Sequence, residues 1–380
     1  MQTSTVVISI CEDYEEERVY RSLKAAAEAL GGLTAFVKPE ERILVKPNFL
    51  SPAESEKVIT THPSVIKGLC RLLAEAGCGQ VGVGDSPANG SCRTAFAKLK
   101  LTEEDLAGAR ILDMSEEVKT RFPEGRSCRE FYFSKEVTEA DAIIGLCKMK
   151  THMLERITGA VKNMYGLICG HRKAAGHVSY PTAVKFAKML TDIHRATPQR
   201  LHFMDAVTAM EGNGPASGRP RHMGLILASA DPVALDTVFC WLVHLAPEQV
   251  PTNIQGELAG LGHSHEADIR LLLAEESGAA PISREELVSR FGQADFDVQR
   301  EKDKLNVLSL WSRISGGKRK PVIDPDKCVR CGICVNHCPV EGRAVNFSDG
   351  TDRPPVYDYR KCIRCYCCQE LCPQKAISVK

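Results

Sequence analysis

The sequence contains no apolar run approaching the roughly 18 residues that cross a bilayer as a helix. Its most apolar stretch, VALDTVFCWLVHLAP, is interrupted by Asp236 and His244, so no transmembrane segment is expected, while a peripheral membrane contact stays open. The opening MQTSTVVISICEDYEEERVY has neither a basic n-region nor a long apolar core, so no signal peptide is visible. An excess of charge is also missing. Lys and Arg number 49 against 48 Asp and Glu, and the basic residues are spread along the chain. That balance leaves no electrostatic footprint for a nucleic-acid partner. The one basic cluster, GGKRK from Gly316 to Lys320, is short and glycine-led and reads as a solvated linker. No G-x-G-x-x-G follows the first strand and no Walker A run occurs, so neither NAD nor a P-loop nucleotide is implied. GNGPASGRP lacks the G-K-[ST] ending and supports a loop over a ligand at most.

Cysteine is what the chain has in abundance. Two stretches, KCVRCGICVNHCPV from Lys327 and KCIRCYCCQELCPQ from Lys361, hold nine of the 17 cysteines and form the only internal repeat. Cys328, Cys331, Cys334 and Cys338 read C-x2-C-x2-C-x3-C-P, and Cys362, Cys365, Cys368 and Cys372 repeat it. In this bacterial ferredoxin run, three cysteines of one loop hold one 4Fe-4S cluster and the fourth ligates the other. Two clusters are therefore expected. One takes Cys328, Cys331, Cys334 and Cys372, and the other takes Cys362, Cys365, Cys368 and Cys338. Structural zinc favours two separated ligand pairs closing a tetrahedron, and disulfides need an oxidising compartment. Neither suits three cysteines at i, i+3 and i+6. Cys367 lies off the spacing and reads as a spare thiol beside a cluster. Other cysteines, such as Cys70, Cys78, Cys147, Cys169 and Cys240, mostly lie in apolar contexts and read as reduced core residues of a cytoplasmic protein.

A chain of 380 residues, 43% hydrophobic, can build one large domain or two ordinary ones plus a small module. The linker divides it into an expected α/β domain at 1–315 and a ferredoxin-type module at 316–380. Before the linker, strand-like runs alternate with helical patterns, which predicts an α/β fold with a largely parallel sheet. STVVISI, RILVKPNF, QVGVGDSP, DAIIGLC, RLHFMDAV and HMGLILAS read as strands. EEERVYRSLKAAAEALGG, THPSVIKGLCRLLAEAGCG and DPVALDTVFCWLVHL read as helices, the first two closed by glycine.

Ligands of open α/β sheets bind beyond the carboxyl ends of the strands. The polar residues there are Lys46 and Asn48 in VKPN, Asp85 and Ser86 in GDSPANG, Lys148, Lys150 and His152 in CKMKTH, and Asp205, Glu211 and Asn213 in DAVTAMEGNGP. Any one of these motifs alone is ordinary turn chemistry. The densest stretch, KMKTHMLERITGAVKNMYGLICGHRK, can be a loop and a solvated helix with ordinary lysines. Alternatively, Lys150, His152 and Lys162 form a catalytic set, with Asn163 among the cofactor-binding residues. Lys162 then supplies a point charge for a carboxylate or phosphate, and His152 exchanges a proton near neutral pH.

Together ILVKPNF, THPSVIKGLCRLLAEAG, VGDSP, KMKTHMLERITGAVKNMYGL, DAVTAMEGNGPASGRP and ASADPVALDT resemble domain of unknown function family 362 over about residues 5–275. Members with a ferredoxin module are usually described as uncharacterised Fe-S centre proteins, so the resemblance implies an arrangement of domains and no stated activity. GAVKNMYGLICG is also similar to the lysine-bearing glycine loop of nickel-dependent lactate racemase. That similarity implies α/β ancestry, and it would place a cofactor on Lys162 only alongside that enzyme's histidine set.

Three functions fit these residues. One is an iron–sulfur oxidoreductase relaying electrons between a redox partner protein and an anionic substrate or second cofactor, of unknown identity, in the α/β domain. Another is an electron carrier or adaptor without catalysis. The third is a non-redox α/β enzyme with structural or sensing clusters. The relaying capacity of two such clusters favours the first.

Overall fold

The computed structural model describes residues 3–300, 319–348 and 350–380. Of the expected linker, residues 316–318 lie outside the described residues.

Among the described residues before it there are twelve strands: β1 (Ser4–Ile10), β2 (Arg42–Lys46), β3 (Gln80–Val83), β4 (Arg110–Ile111), β5 (Glu117–Arg121), β6 (Glu130–Ser134), β7 (Ala142–His152), β8 (Arg156–Thr158), β9 (Gln199–Glu211), β10 (Arg219–Ser229), β11 (Ile269–Glu275) and β12 (Gly278–Pro281). Ten of them form one mixed sheet in the order β12-β11-β1-β10-β9-β7-β2-β3-β4, with β8 added on β7, while β5 and β6 pair apart. Strands β9, β7, β2, β3 and β4 run parallel, as do β1 and β11. β10 runs antiparallel to both β1 and β9. The short connection at 212–218 turns the chain straight back beside β9, which only an antiparallel pairing allows.

Both faces of the sheet are covered, which explains the near-continuous apolar runs of its strands. Val7, Val45, Ile144 and Phe203 pack with Val19, Leu23 and Leu69 on one face. Ile8, Met204 and Leu225 pack with Leu235 and Phe239 on the other. Helix Glu16–Ala29 starts where the Glu15 carboxylate accepts from the amides of Glu17 and Arg18, and ends at Gly31, whose φ of 100° lies in the left-handed region. Helix Pro63–Glu75 carries Pro63 in its first turn.

Two strands run further than the sequence indicates. β7 continues through Lys148 and Lys150 to His152, with all eleven residues buried. Pairing on β9 and β8 extends it, and Lys148 meets Asp205 directly across the ladder. β9 likewise runs on to Glu211.

The carboxyl-terminal module pairs Pro321–Ile323 with Ile377–Val379 and Val345–Asn346 with Val356–Tyr357, and it carries two short helices, Ile333–Asn336 and Cys367–Glu370. The second helix faces the α/β region. Gln369 Nε2 donates to Asn213 O at 2.9 Å and to Asn213 Oδ1 at 3.1 Å, and Asn213 Nδ2 donates to Ile377 O at 3.0 Å. Among the described residues, no helix is long and apolar enough to cross a membrane.

Candidate functional site

The parallel strands bring their carboxyl ends to one edge, and a cleft of about 310 Å³ opens there. Asn48 follows β2, Asp85 follows β3, Lys150 lies two residues before the end of β7, and Lys162 and Asn163 sit on the short helix Ala160–Asn163. All five line the cleft. That short helix is held from behind by Asp236, which accepts from the amides of Ala160 at 2.6 Å and Val161 at 3.1 Å. Gly159 is required at this contact, because a Cβ there would fall 2.0 Å from Asp236 Oδ1.

A buried polar floor supports the lining. Lys46 Nζ lies 2.8 Å from Asp85 Oδ1 and donates to Pro47 O and Asn163 Oδ1. Lys150 Nζ donates to Asn48 Oδ1 at 2.6 Å and Ile59 O at 2.7 Å. Burial, reinforced by Lys162 and Lys148, pushes the Lys150 ammonium down to about 7. Burial also lowers Lys173, another lining residue, to about 8. Lys162 is half-buried, with its ammonium 5.8 Å from the ring centroids of Tyr165 and Phe186.

His152 lies behind the cleft wall rather than on it. Its Nδ1 accepts from the amides of Leu154 and Glu155, which puts the proton of the neutral ring on Nε2. Nε2 stands 3.1 Å from Glu370 Oε1 of the module, although neither atom has a well-aligned hydrogen bond. Burial and then Lys162 push His152 down to about 4. Burial would raise Glu370, but His152, Lys162 and His177 outweigh it and hold that carboxyl at about 2.

The expected cofactor-binding set divides here. Lys46 lies beneath the cleft and acts through Asp85 and Asn163. Asp205, Glu211 and Asn213 do not line it. Asp205 sits in mid-strand, where it takes Lys148 Nζ at 2.8 Å, Tyr14 Oη at 2.9 Å and the His62 amide at 3.0 Å. Glu211 is neutralised by Arg219 of the neighbouring β10 at 2.8 Å. Asn213 belongs to the seam with the module.

The cleft also gathers residues that sequence reasoning missed: Tyr165, Lys173, His177 and Glu370, with Cys367 as a lining residue rather than a bystander. Lys173 and His177 are one helical turn apart on helix Lys173–Ser179, a spacing that puts both on one face. Glu370 carried no comparable signal.

The cluster cysteines fall into two groups. Cys328, Cys331, Cys334 and Cys372 line one small cavity, and Cys338, Cys362, Cys365 and Cys368 line another, the membership that crossed ligation requires. Arg330 and Gly332 in the first loop, and Arg364 and Tyr366 in the second, have left-handed backbones that curl each loop around its cavity. The Ala344 amide donates to Cys338 Sγ at 3.2 Å, the Ala376 amide to Cys372 Sγ at 3.3 Å, and Tyr357 Oη to Cys368 Sγ at 3.1 Å. Such donors suit thiolates bound to iron. Among the described residues, no three His, Cys, Asp or Glu side chains converge as a single ion would need. Four thiolates spread around a cuboid cluster stand farther apart.

A family model described as domain of unknown function (DUF362) matches residues 43–241, and one described as a 4Fe-4S dicluster domain matches residues 320–373. A thylakoid-associated protein of Synechocystis sp. is 35% identical over 260 residues, covering 66% of this chain and 78% of that protein. Among solved structures, a Thermotoga maritima protein from a structural genomics consortium superposes with a TM-score of 0.39 at 12% identity. The match covers 65% of this chain and 59% of that one, less than two thirds of its length. The lactate racemase apoprotein from Thermoanaerobacterium thermosaccharolyticum gives a TM-score of 0.40 at 10% identity, over 82% of this chain and 90% of that one. Neither structural likeness is close enough to bear on chemistry.

Proposed function

From a chain that belongs to the DUF362 family and carries an iron–sulfur dicluster domain, we propose an oxidoreductase that passes electrons between a redox partner protein and a small anionic molecule in the cleft. One observation carries this reading. The second cysteine cassette lines the cleft through Cys367, Glu370 and Leu371, together with Lys150, Lys162 and Lys173. A carrier or adaptor has no use for a lysine-lined cleft at that place. Two 4Fe-4S clusters, one in each cysteine group, would give and take single electrons.

The chain's own residues would do the rest. Lys162 attracts and fixes the anion as a point charge. Lys150, poised near neutrality, holds or releases a proton at its Nζ. His152 sets the position of Glu370 and with it the second cassette. Lys46, Asn48, Asp85 and Asn163 keep this frame rigid. In this reading the α/β region spans 1–315 and the module 316–380, and the two meet at the seam of Asn213 and Gln369. The cysteines outside the cassettes are unpaired thiols, which supports a reducing compartment such as the cytoplasm.

The test is anaerobic. Small molecules that co-purify with the protein are identified by mass spectrometry and mixed with dithionite-reduced protein while cluster absorbance is followed. Reoxidation in the native chain, abolished in Lys162→Ala and His152→Ala with iron content unchanged, is the expected result. Clusters that reoxidise equally in all three chains would favour the electron-carrier reading.

A further inference from the structure

The charges around the cleft do not balance. Its lining holds three ammonium groups, Lys150, Lys162 and Lys173, and two carboxylates, Asp85 and Glu370. Asp85 is already matched from below by Lys46 at 2.8 Å. Among these lining side chains, with all three lysines protonated as a bound anion favours, three positive charges against one remaining negative charge leave a surplus of two. Lys150 donates only to neutral oxygens, and so does Lys173, which donates to Ser86 O. Lys162 has no hydrogen-bond or ion-pair partner among the described residues. Glu155, buried close to Lys162 but off the lining, does not close the gap. Burial pushes its carboxyl up to about 8, so it stays largely protonated near neutral pH, and both its oxygens lack partners. Uncompensated charge at low exposure is costly unless a ligand completes it.

Size narrows the ligand further. A cavity of about 310 Å³ lies at the small end of ligand sites. A four-carbon acid or a small phosphate ester fits within it. Phe49, Leu50, Tyr165 and Leu371 offer apolar surface for a short carbon skeleton.

We propose that the cleft binds a compact dianion, a small dicarboxylate or phosphate monoester, whose two charges are matched by Lys150, Lys162 and Lys173 around Glu370. This rests on reading the cleft as the substrate site, and it deepens that reading by naming the ligand class.

Isothermal titration calorimetry on the anaerobically prepared full chain tests it, with succinate, inorganic phosphate, butyrate and flavin mononucleotide as probes. Succinate binding one per chain, roughly tenfold or more tighter than butyrate, is expected, because each charge-assisted contact is worth about that factor. Tight phosphate with weak succinate would assign the phosphate class within the same proposal. Lys162→Gln should cut dianion affinity by about tenfold or more at unchanged iron content. Lys173→Gln serves the same purpose if the first variant does not fold. Butyrate binding as tightly as succinate, flavin mononucleotide binding best, or no binding of succinate and phosphate overturns the proposal. Dianion binding that leaves cluster reoxidation untouched keeps this inference and removes the redox reading instead.

Discussion

The two cysteine cassettes share one spacing and differ in what surrounds it. In the first, Cys331 is exposed, Arg330 is exposed, and Val329 keeps 56% of its surface in solvent. In the second, Tyr366, Cys367 and Cys368 are buried, Gln369 is fully enclosed, and Glu370 reaches His152 of the α/β region. Tyr366 even occupies the left-handed position that Gly332 fills in the first loop. That conformation costs a non-glycine residue roughly 1–2 kcal/mol, offset here by burial and by the Tyr366 hydroxyl donating to Arg319 O at 2.8 Å. With one cluster in each cysteine group, as proposed above, the ligand positions define the iron sites, while the residues between them decide which site faces the cleft and which faces solvent. On this reading the second site serves the bound anion and the first is open to a partner.

The sharpest way to break the comparison is to exchange the crossing ligands. Cys372→Ser should damage the site built mainly by the first cassette, and Cys338→Ser the one built by the second. Iron and sulfide analysis is expected to fall by about four of roughly eight irons in each case. Loss confined to the mutated cassette's own loop would show that the fourth ligands do not cross.

A smaller effect should follow pH, and only on the cleft side. Lysine is charged below its pKa, and burial holds Lys150 near 7 and Lys173 near 8. Anion affinity is therefore expected to fall as pH rises from 6.5 to 8.5. Stability should move the other way. Both groups are depressed in the fold, so above these values the unfolded chain binds more protons and unfolding becomes harder as pH rises toward 10. Calorimetric titration and thermal unfolding without ligand, each at both pH values, would check the two signs. Glu370, Asp85, Lys148 and Lys162 face Lys150, so Glu370→Gln should move the affinity profile to lower pH.

The mildest pair contrasts the two cassettes directly. Gln369→Ala removes the donor serving Asn213 O, Asn213 Oδ1 and Gly214 O, and should loosen the seam by about 1–3 kcal/mol. Val329→Ser, on the exposed side, should stay within about 0.5 kcal/mol. Ligand affinity is expected to drop in the first variant and hold in the second. Equal responses would erase the distinction between the cassettes.

What could be read from the sequence follows from how local each signal is. The cysteine groups were legible because the short fixed spacing C-x2-C-x2-C-x3-C encodes them. The strands and the mostly parallel sheet were legible from apolar runs. The reversal of β10 was not, since a strand buried on both faces carries the same pattern in either direction. Asp85, Asp205 and Glu211 look alike in one dimension, each a carboxylate in or after an apolar run. Only the register shows that Lys148 and Arg219 neutralise the latter two from neighbouring strands while Asp85 reaches the cleft. Lys173 and His177 offered a one-turn spacing that could have been used. Glu370 offered nothing, because it arrives from a cassette more than two hundred residues away from His152 in sequence.

The central claim is that an anion in the cleft and the second iron site sense each other. An anaerobic redox titration of the loaded protein, followed by electron paramagnetic resonance with and without succinate, tests it most directly. One of two cluster signals is expected to shift its midpoint potential on addition of the dianion while the other stays in place, and Lys162→Ala is expected to abolish the shift. Two signals that both ignore a dianion shown by calorimetry to be bound would contradict it.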